Sequence, residues 1–311
     1  MKIALMFSGQ GAQYKGMGQA LVDRYPICRA IYERSEKISG MPIQEISFQD
    51  AERLNQTAHT QVCMYTMQAA ILALLKAHDI NTDMSMGLSL GEYGAYLHQG
   101  VYDFETGLNI VKKRAELMEK ALHNRPGKMA AVIGMDIDVL ENLVEESRDY
   151  ITIANYNTPK QLVISGEIAA LEQMTIKIKR DYKKRVIPLK TNGAFHSQLM
   201  SEAKEEFERF LKSIHLSAPK GFLYLNTTGR VFEKDIHHHM AKQLTHSVKF
   251  YQMVNQMVED GVKVFIEIGP KRILSQLVKK MNHQVATMNI EDVESFENVR
   301  SYLEDKHGKL S

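Results

Sequence analysis

Apolar residues recur along the chain in short blocks that alternate with longer stretches of helical spacing. Residues 3–7 form an unbroken apolar run that predicts a buried strand, and residues 84–87 predict a second one. Residues 60–78 are apolar on nearly every side, which predicts a long buried helix, and residues 90–98 predict a helix directly after the second strand. Strands that alternate with helices favour a mostly parallel sheet with helices on both faces.

A further helix is predicted to begin after Asp103, which is a good N-cap residue. Its apolar positions recur at spacings of three and four and form one stripe: Phe104, Leu108, Val111, Ala115, Met118 and Leu122. At 100° per residue, Lys113 points away from this stripe and Arg114 lies on its edge. We therefore expect the Arg114 side chain to reach across buried surface into a cleft.

The pattern changes after the break at residues 123–127, where short strands and helices follow one another closely. Strands are predicted at 128–135, 151–155, 161–165 and 185–189, and helices at 138–146 and 168–180. This β-α-β-β-α-β order is that of a ferredoxin-like unit. We expect an inserted small subdomain at 126–190, carried by a larger α/β domain formed by residues 1–125 and 191–311.

The later part of the chain returns to the alternation seen at its start. Strands are predicted at 222–226 and 264–268, with helices at 197–214 and 251–260. A helix at 271–280 and a short strand at 284–289 follow. These segments are expected to complete the larger, mostly parallel sheet.

Composition narrows the class of protein. The chain has 311 residues and a formal net charge of +2, so it lacks the basic excess that a nucleic-acid binder usually shows. No apolar run approaches the roughly 20 residues needed to cross a bilayer, and we expect no membrane partner. The two cysteines, Cys28 and Cys63, lack metal-ligand spacing, so we expect two thiols in a reducing cytoplasm and no metal site.

Candidate chemistry centres on Ser89, in the stretch Gly-Leu-Ser-Leu-Gly at 87–91 between a predicted strand and a predicted helix. In a G-x-S-x-G turn the glycines permit a sharp bend that exposes the serine hydroxyl at its tip. The next helix directs its N-terminus at the hydroxyl, and the Leu90 N–H can donate to an oxyanion. The context predicts that Ser89 is a nucleophile.

A serine nucleophile needs a base, and most histidines are poorly placed. His98 lies nine residues beyond Ser89, roughly 13 Å along a helix, which is too far for a hydrogen bond. The three consecutive histidines at 237–239 cannot face one point, and they are typical of a solvated surface. His196 follows a predicted strand and the loop at 191–194, a position typical of sites in parallel-sheet folds. Position alone also allows a packing or capping role for His196.

Six ordered motifs resemble those of the malonyl-CoA:acyl carrier protein transacylase family of bacterial fatty-acid synthesis. They are FSGQGAQ at 7–13, GLSLGEY at 87–93, KRAELM at 113–118, ANYNTP at 154–159, GAFHS at 193–197 and EIGP at 267–270. The resemblance covers residues 3 to about 280. It implies an α/β-hydrolase-like large domain with a ferredoxin-like insertion. It also implies a ping-pong transfer of malonyl from malonyl-CoA, through the serine, to the phosphopantetheine thiol of acyl carrier protein, with no cofactor.

The resemblance assigns roles residue by residue. Ser89 matches the nucleophile, His196 the base and Arg114 the arginine that pairs with the malonyl carboxylate. A guanidinium suits that role because it forms a bidentate fork with a carboxylate and stays charged in a cleft. Gln10 and Leu90 match the two backbone N–H donors of the oxyanion hole.

Other positions depart from the family pattern or have an alternative role. The family orients its histidine through a main-chain carbonyl, and the matching position here is Lys249, where many members have glutamine. Leu88 stands where many members have a histidine that is not the base. Met118 and Phe195 match acyl-pocket residues whose bulk favours malonyl over methylmalonyl, although either could be ordinary core.

The acidity of acyl carrier proteins directs attention to basic residues of the inserted subdomain. We call these the basic cluster: Lys177, Lys179, Arg180, Lys183, Lys184 and Arg185. Such a cluster can attract an acidic partner, although it is also typical of a solvated helix face.

Four other functions compete with this interpretation. A patatin-like serine hydrolase would use an Asp-Gly pair, and Asp260-Gly261 is present. A discrete acyltransferase that serves a polyketide synthase in trans would share all six motifs, whereas an editing acyl hydrolase would have no use for Arg114. A catalytically inactive binding module would not need the chemical groups that are all present here.

Overall fold

A computed structural model describes residues 1–147, 149–190, 193–281 and 284–307. Thr191 and Asn192, which the sequence places in the loop before His196, lie outside the described residues. The strands are β1 Lys2–Phe7, β2 Met84–Gly87, β3 Gly127–Ile133, β4 Ile151–Thr158, β5 Gln161–Glu167, β6 Arg185–Pro188, β7 Phe222–Leu223, β8 Val262–Ile268 and β9 Ala286–Ile290. The helices of the first half are α1 Gln19–Arg24, α2 Pro26–Ser39, α3 Ile43–Phe48, α4 Ala51–Leu54, α5 Thr57–Ala77, α6 Gly91–His98, α7 Phe104–Asn124 and α8 Ile137–Glu145. Those of the second half are α9 Ile168–Asp181, α10 Ser201–Leu211, α11 Ile236–Lys242, α12 Phe250–Glu259, α13 Ile273–Met281 and α14 Val293–His307.

The first of two compact units comprises Met1–Ala115, Ser217–Tyr224 and the chain from Met257 onward. Its sheet has the order β7-β2-β1-β8-β9, and every pairing in it is parallel. The central strand β1 is apolar and buried from Ala4 to Phe7, as a strand covered on both faces must be. The long helix α5 is buried along most of its length, which confirms the helix expected from its all-round apolar composition.

The second unit comprises Glu116–Leu216 and Leu225–Gln256. Its antiparallel sheet has the order β4-β5-β3-β6, and α8 and α9 supply the helices of a β-α-β-β-α-β unit. Leu140, Leu143, Leu171, Met174 and Ile178 pack from these helices onto the sheet. The ferredoxin-like topology is therefore confirmed, and the exact bounds 126–190 stay a prediction.

Several elements differ from the sequence prediction. The strand expected at 222–226 pairs only at Phe222 and Leu223, because from Leu225 the chain enters a turn closed by the Leu225 N–H and the Arg230 carbonyl. The helix expected at 197–214 begins with a 3-10 turn, Gln198–Met200, in which the Leu199 N–H donates to the capping hydroxyl of Ser197. Helices α3, α4, α11 and α14 were not predicted. Among the described residues, no helix combines the length and apolarity needed to cross a bilayer.

Candidate active site

Ser89 occupies a strained turn between β2 and α6. Its φ of 53° lies in the left-handed region, which a residue with a β-carbon enters at a cost of about 1–2 kcal/mol. The Leu88 N–H donates to the Phe7 carbonyl, so the pairing of β1 and β2 continues up to the turn. The N–H groups of Gly91 and Glu92 then donate to the carbonyls of Leu88 and Ser89 and tighten the first turn of α6. This geometry is that of a nucleophile elbow.

Gly87 and Gly91 make the elbow sterically possible. A β-carbon on Gly87 would lie 2.0 Å from the carbonyl carbon of Gly91, and one on Gly91 would lie 2.0 Å from the carbonyl oxygen of Phe7. Both obstacles are backbone atoms, so no side-chain movement can relieve them. The glycines of the motif therefore serve close backbone packing.

Replacing Gly91 with alanine should destabilise the first unit by about 3 kcal/mol, because the added methyl group collides with β1. Urea denaturation followed by far-UV circular dichroism measures this loss. Gly40→Ala is the matched control, since Gly40 has a φ of 69° but nothing within 4 Å of the position that a β-carbon would take, so only about 1 kcal/mol of backbone strain is expected. Equal losses in the two variants would contradict the packing argument.

The two expected oxyanion donors, Gln10 and Leu90, both belong to the first unit. Leu90 is the N-cap of α6, so its N–H belongs to the helix end where backbone donors lack intrahelical partners. Gln10 lies in the loop after β1, and its side-chain amide donates to the Thr57 hydroxyl. Within the described residues, neither backbone N–H donates to a backbone carbonyl. The placement is compatible with an oxyanion hole, and that role stays a prediction.

Arg114 reaches the nucleophile from α7. Its Nη2 donates to Ser89 Oγ at 3.2 Å, and its guanidinium lies 5.1 Å from the centre of the Tyr93 ring. The residue is only 1% exposed, and this burial lowers the pKa of the guanidinium, although an arginine stays protonated in proteins. The expectation that the Arg114 side chain reaches into buried surface is confirmed. The guanidinium places a fixed positive charge beside Ser89.

Gln61 is a residue of this site that the sequence prediction missed. Its Oε1 accepts from Arg114 Nη1 at 2.6 Å, and its Nε2 lies 3.5 Å from Gln10 Oε1. Gln61 is fully buried on α5, in a helix expected to be apolar. A buried amide in such a helix needs partners, and here it holds the guanidinium in orientation. In the sequence, the feature that could have indicated this role is a glutamine within an otherwise largely apolar helix.

His196 belongs to the second unit and has a φ of 57°, again in the left-handed region. It is 3% exposed, and its Nδ1 donates to the main-chain carbonyl of Gln243 at 2.8 Å. A carbonyl only accepts, so the proton lies on Nδ1 and Nε2 is the basic nitrogen. The ring is thus oriented by a backbone carbonyl, as the resemblance implies.

The prediction that Lys249 supplies this carbonyl is wrong. The Lys249 carbonyl accepts from the Met253 N–H in the first turn of α12, so it is engaged within the helix. Gln243 is instead the C-cap of α11, where carbonyl groups lack intrahelical donors and can accept from a side chain.

The remaining predicted residues of the second unit are buried. Met118 lies one turn beyond Arg114 along α7 and is 2% exposed, and Phe195 precedes His196 and is 6% exposed.

Of the histidines at 237–239, which lie on α11, only His238 is exposed, whereas His237 and His239 bond to the Ile214 carbonyl and the Thr227 hydroxyl. The expectation of a solvated surface holds for His238 alone.

The EIGP motif at 267–270 has a structural role. Both carboxylate oxygens of the buried Glu267 accept from backbone N–H groups at the start of α13, those of Leu274 and Ser275. Burial raises the pKa of this carboxyl, although these hydrogen bonds oppose the shift. Glu267 therefore caps α13 and joins it to the end of β8.

Asp260 cannot act as the catalytic partner of Ser89. It precedes the amino end of β8, where the Tyr224 hydroxyl donates to its Oδ2, whereas Ser89 follows the carboxyl end of β2. Strand β1 pairs in parallel with both β2 and β8, so the three strands run in the same direction. Asp260 therefore lies at the amino ends of these strands and Ser89 at their carboxyl ends. This placement excludes a patatin-like hydrolase that uses the Asp-Gly pair.

In the described part of the chain, no group of three or more potential protein ligands suits a metal ion.

Comparisons with known proteins agree with this site. Residues 5–309 match the family model described as an acyl transferase domain. The malonyl CoA-acyl carrier protein transacylase of Bacillus subtilis is 34% identical over 302 residues, which cover 95% of this chain and 95% of that protein. The crystal structure of the malonyl CoA-acyl carrier protein transacylase from Clostridium perfringens is 36% identical in sequence and superposes with a TM-score of 0.95. The superposition covers 100% of this chain and 99% of that one. A second solved structure shows a type II polyketide-synthase acyl-carrier protein in complex with its malonyl-transacylase. It is 27% identical, has a TM-score of 0.91 and covers 95% of this chain and 97% of that one. This chain belongs to the malonyl-CoA:acyl carrier protein transacylase family of acyl transferases.

Proposed function

We propose that the protein transfers a malonyl group from malonyl-CoA to the phosphopantetheine thiol of acyl carrier protein through an ester on Ser89. The observation that carries the proposal is the buried Arg114 guanidinium hydrogen-bonded to Ser89 Oγ. A fixed cation beside the nucleophile would be wasted on an uncharged acyl group, whereas it pairs with the free carboxylate of malonyl.

The transfer takes place in two half-reactions. Ser89 Oγ attacks the thioester carbonyl while His196 Nε2 accepts the hydroxyl proton, and the coenzyme A sulfur leaves and takes that proton. The carrier-protein thiol then gives its proton to His196 and attacks the ester carbonyl, and the Ser89 Oγ leaves and takes that proton from His196. The backbone N–H groups of Gln10 and Leu90 stabilise the oxyanion in both steps.

Further features support parts of this proposal. The orientation of His196 by the Gln243 carbonyl fits a base that needs no carboxylate behind it. Met118 and Phe195 would limit the acyl pocket to malonyl. We expect no cofactor, with malonyl-CoA as a substrate, because every step uses a side chain or a backbone donor. The two buried cysteines are unoxidised, which fits a cytoplasmic location.

The test is incubation with malonyl-CoA followed by intact-mass analysis and peptide mapping. One malonyl group should appear on the peptide that contains Ser89, and it should be discharged when carrier protein bearing its thiol is added. Release of malonate without a carrier would identify a hydrolase, and absence of the adduct would reject the covalent mechanism.

Fatty-acid synthesis is the pathway that we propose. A second candidate, supply of malonyl to a polyketide synthase, is favoured by the structural neighbour seen with a polyketide carrier protein. Parallel assays with fatty-acid and polyketide carrier proteins from the source organism distinguish them, because the physiological carrier should show the higher kcat/KM.

The basic cluster is the proposed docking surface for the acidic carrier protein. Arg180 already pairs with Asp181 at 2.6 Å and Lys177 lies 4.0 Å from Glu146, whereas Lys179, Lys183, Lys184 and Arg185 are exposed and form no ion pair within the described residues. These four residues are therefore available to an acidic partner.

Reversing two of these charges, Lys183→Glu with Lys184→Glu, should raise the KM for carrier protein severalfold, because charges at the rim of an interface govern encounter. Initial rates against carrier-protein concentration measure this change. Formation of the malonyl-enzyme should be unaffected, and Lys279→Glu with Lys280→Glu on α13 is the matched control. An unchanged KM would exclude this docking site.

A further inference from the structure

The first unit contains a cavity that lies away from Ser89. Its volume is about 560 Å³, within the range typical of small-molecule sites. Residues 80–83, which precede β2, line it, whereas Ser89 follows the other end of that strand. Four residues of strand separate the two ends by roughly 13 Å. The cavity is therefore distinct from the candidate active site.

Apolar side chains form about half of the cavity walls. They come from α2, α5, the end of α6 and the start of α7, and they include Ile31, Ala69, Leu72, Leu75, Leu97 and Phe104. An apolar chain or ring that entered would exchange water for these surfaces, which is favourable at about 25 cal/mol per Å².

Two exposed lysines line the same cavity, Lys76 at the end of α5 and Lys220 before β7. The Lys220 side chain lies across Gly100, where its Cε would be 2.9 Å from an added β-carbon. Neither lysine forms an ion pair with a carboxylate of the residues that the structure describes. Among the described lining residues Asp83 alone is acidic, so the cavity carries a net positive charge.

His98 adds a neutral ring to the lining. The Gln99 side-chain amide lies with its Nε2 3.2 Å from His98 Nδ1, and its Oε1 is fixed by the Gly221 N–H. The same Gln99 Nε2 also donates to the Asp83 carbonyl and to the Ser85 hydroxyl. Burial lowers the pKa of His98 to about 4, so the ring is neutral at pH 7. His98 Nε2 lies 3.3 Å from the Thr82 hydroxyl, so the ring is held by neighbouring residues of the wall.

We infer that this cavity binds a monoanionic amphiphile, a medium-chain fatty carboxylate, with its chain on the apolar part of the walls and its carboxylate close to Lys76 and Lys220. The apolar part of the lining favours the chain, and the two lysines favour a carboxylate over an uncharged head group. Asp83 disfavours a second negative charge at the same place.

Calorimetric titration of the full chain with octanoate tests this inference. We expect saturable binding, at least about tenfold weaker for neutral octanamide, because a charge-assisted hydrogen bond contributes about 1.5–3 kcal/mol. Lys76→Glu with Lys220→Glu should weaken octanoate binding at least about tenfold. Ala73→Phe, which fills the cavity from α5, should do the same. Lys263→Glu with Lys280→Glu, two exposed lysines elsewhere in this unit, should leave binding unchanged.

Arg114 is a second place where a carboxylate could bind, so the titration is repeated with Arg114→Ala. Persistence of octanoate binding in that variant supports the separate cavity. Loss of binding there would overturn the inference, because it would assign the octanoate to the active site. Absence of saturable binding, or equal affinity for wild type and the two cavity variants, would overturn it as well. Malonyl transfer is measured in each cavity variant, and its retention shows that the fold is intact and leaves the proposed function untouched.

Discussion

Ser89→Ala should abolish formation of the malonyl-enzyme and lower kcat for malonyl transfer by at least about a thousandfold. The substitution removes the Oγ that becomes acylated and leaves the elbow in place, because alanine keeps the β-carbon that the left-handed turn already accommodates. Intact-mass analysis after incubation with malonyl-CoA measures the adduct directly. Substrate binding should persist, since Arg114 and the backbone donors remain.

Ser85→Ala is the matched control for this experiment. Ser85 lies four residues earlier on β2, is fully buried, and its hydroxyl accepts from the Gln99 amide. Its loss removes one buried hydrogen bond, which costs about 1 kcal/mol of stability, but no reacting atom. Acylation of Ser89→Ala at the wild-type rate, or loss of acylation in Ser85→Ala despite a folded spectrum, would contradict the assignment of the nucleophile.

The elbow could be predicted from the sequence because everything that defines it is local. A strand, a five-residue turn and a helix follow one another along the chain, and the close contacts of Gly87 and Gly91 are with the same elements or with β1. The β-α-β-β-α-β unit was equally predictable, since its alternating pattern and short connections determine the topology.

Contacts between distant segments were harder to predict. The carbonyl that orients His196 comes from Gln243, 47 residues away, at the end of α11. The sequence pattern predicts a solvated surface at 237–239 and no helix there, so it could not place a C-cap carbonyl at Gln243. Motif matching points to Lys249. A motif does not show, however, that the Lys249 carbonyl already accepts a hydrogen bond within α12.

Gln61 was missed for a related reason. The apolar character of α5 predicts burial of the whole helix, and a polar residue within it looks like an exception. Its role becomes visible only when Arg114 is known to approach from α7, 53 residues later. The chemistry of a buried amide depends on its partner, and the pairing is a property of the tertiary structure.

Arg114→Ala should remove the preference for malonyl-CoA over acetyl-CoA. The guanidinium is buried beside Ser89 Oγ, and a charge-assisted pair with the malonyl carboxylate should contribute about 3 kcal/mol or more, roughly a hundredfold in kcat/KM. Acetyl-CoA offers no carboxylate, so its kcat/KM should stay equal or rise as the acyl site becomes less polar. The ratio of the two kcat/KM values is the measurement that isolates this effect from damage common to both substrates.

Gln61→Ala provides the graded comparison for Arg114→Ala. It keeps the charge but removes the acceptor that holds Nη1, so the preference for malonyl should fall less than with Arg114→Ala while Ser89 still becomes acylated. Lys113→Ala is the control, because Lys113 is the neighbouring cation on α7, on the side of the helix away from the apolar stripe, and it should leave the ratio unchanged. A ratio that stays at the wild-type value in Arg114→Ala would show that the carboxylate is recognised elsewhere. In that case a buried cation hydrogen-bonded to the nucleophile would serve to orient Ser89, and both kcat/KM values would fall together.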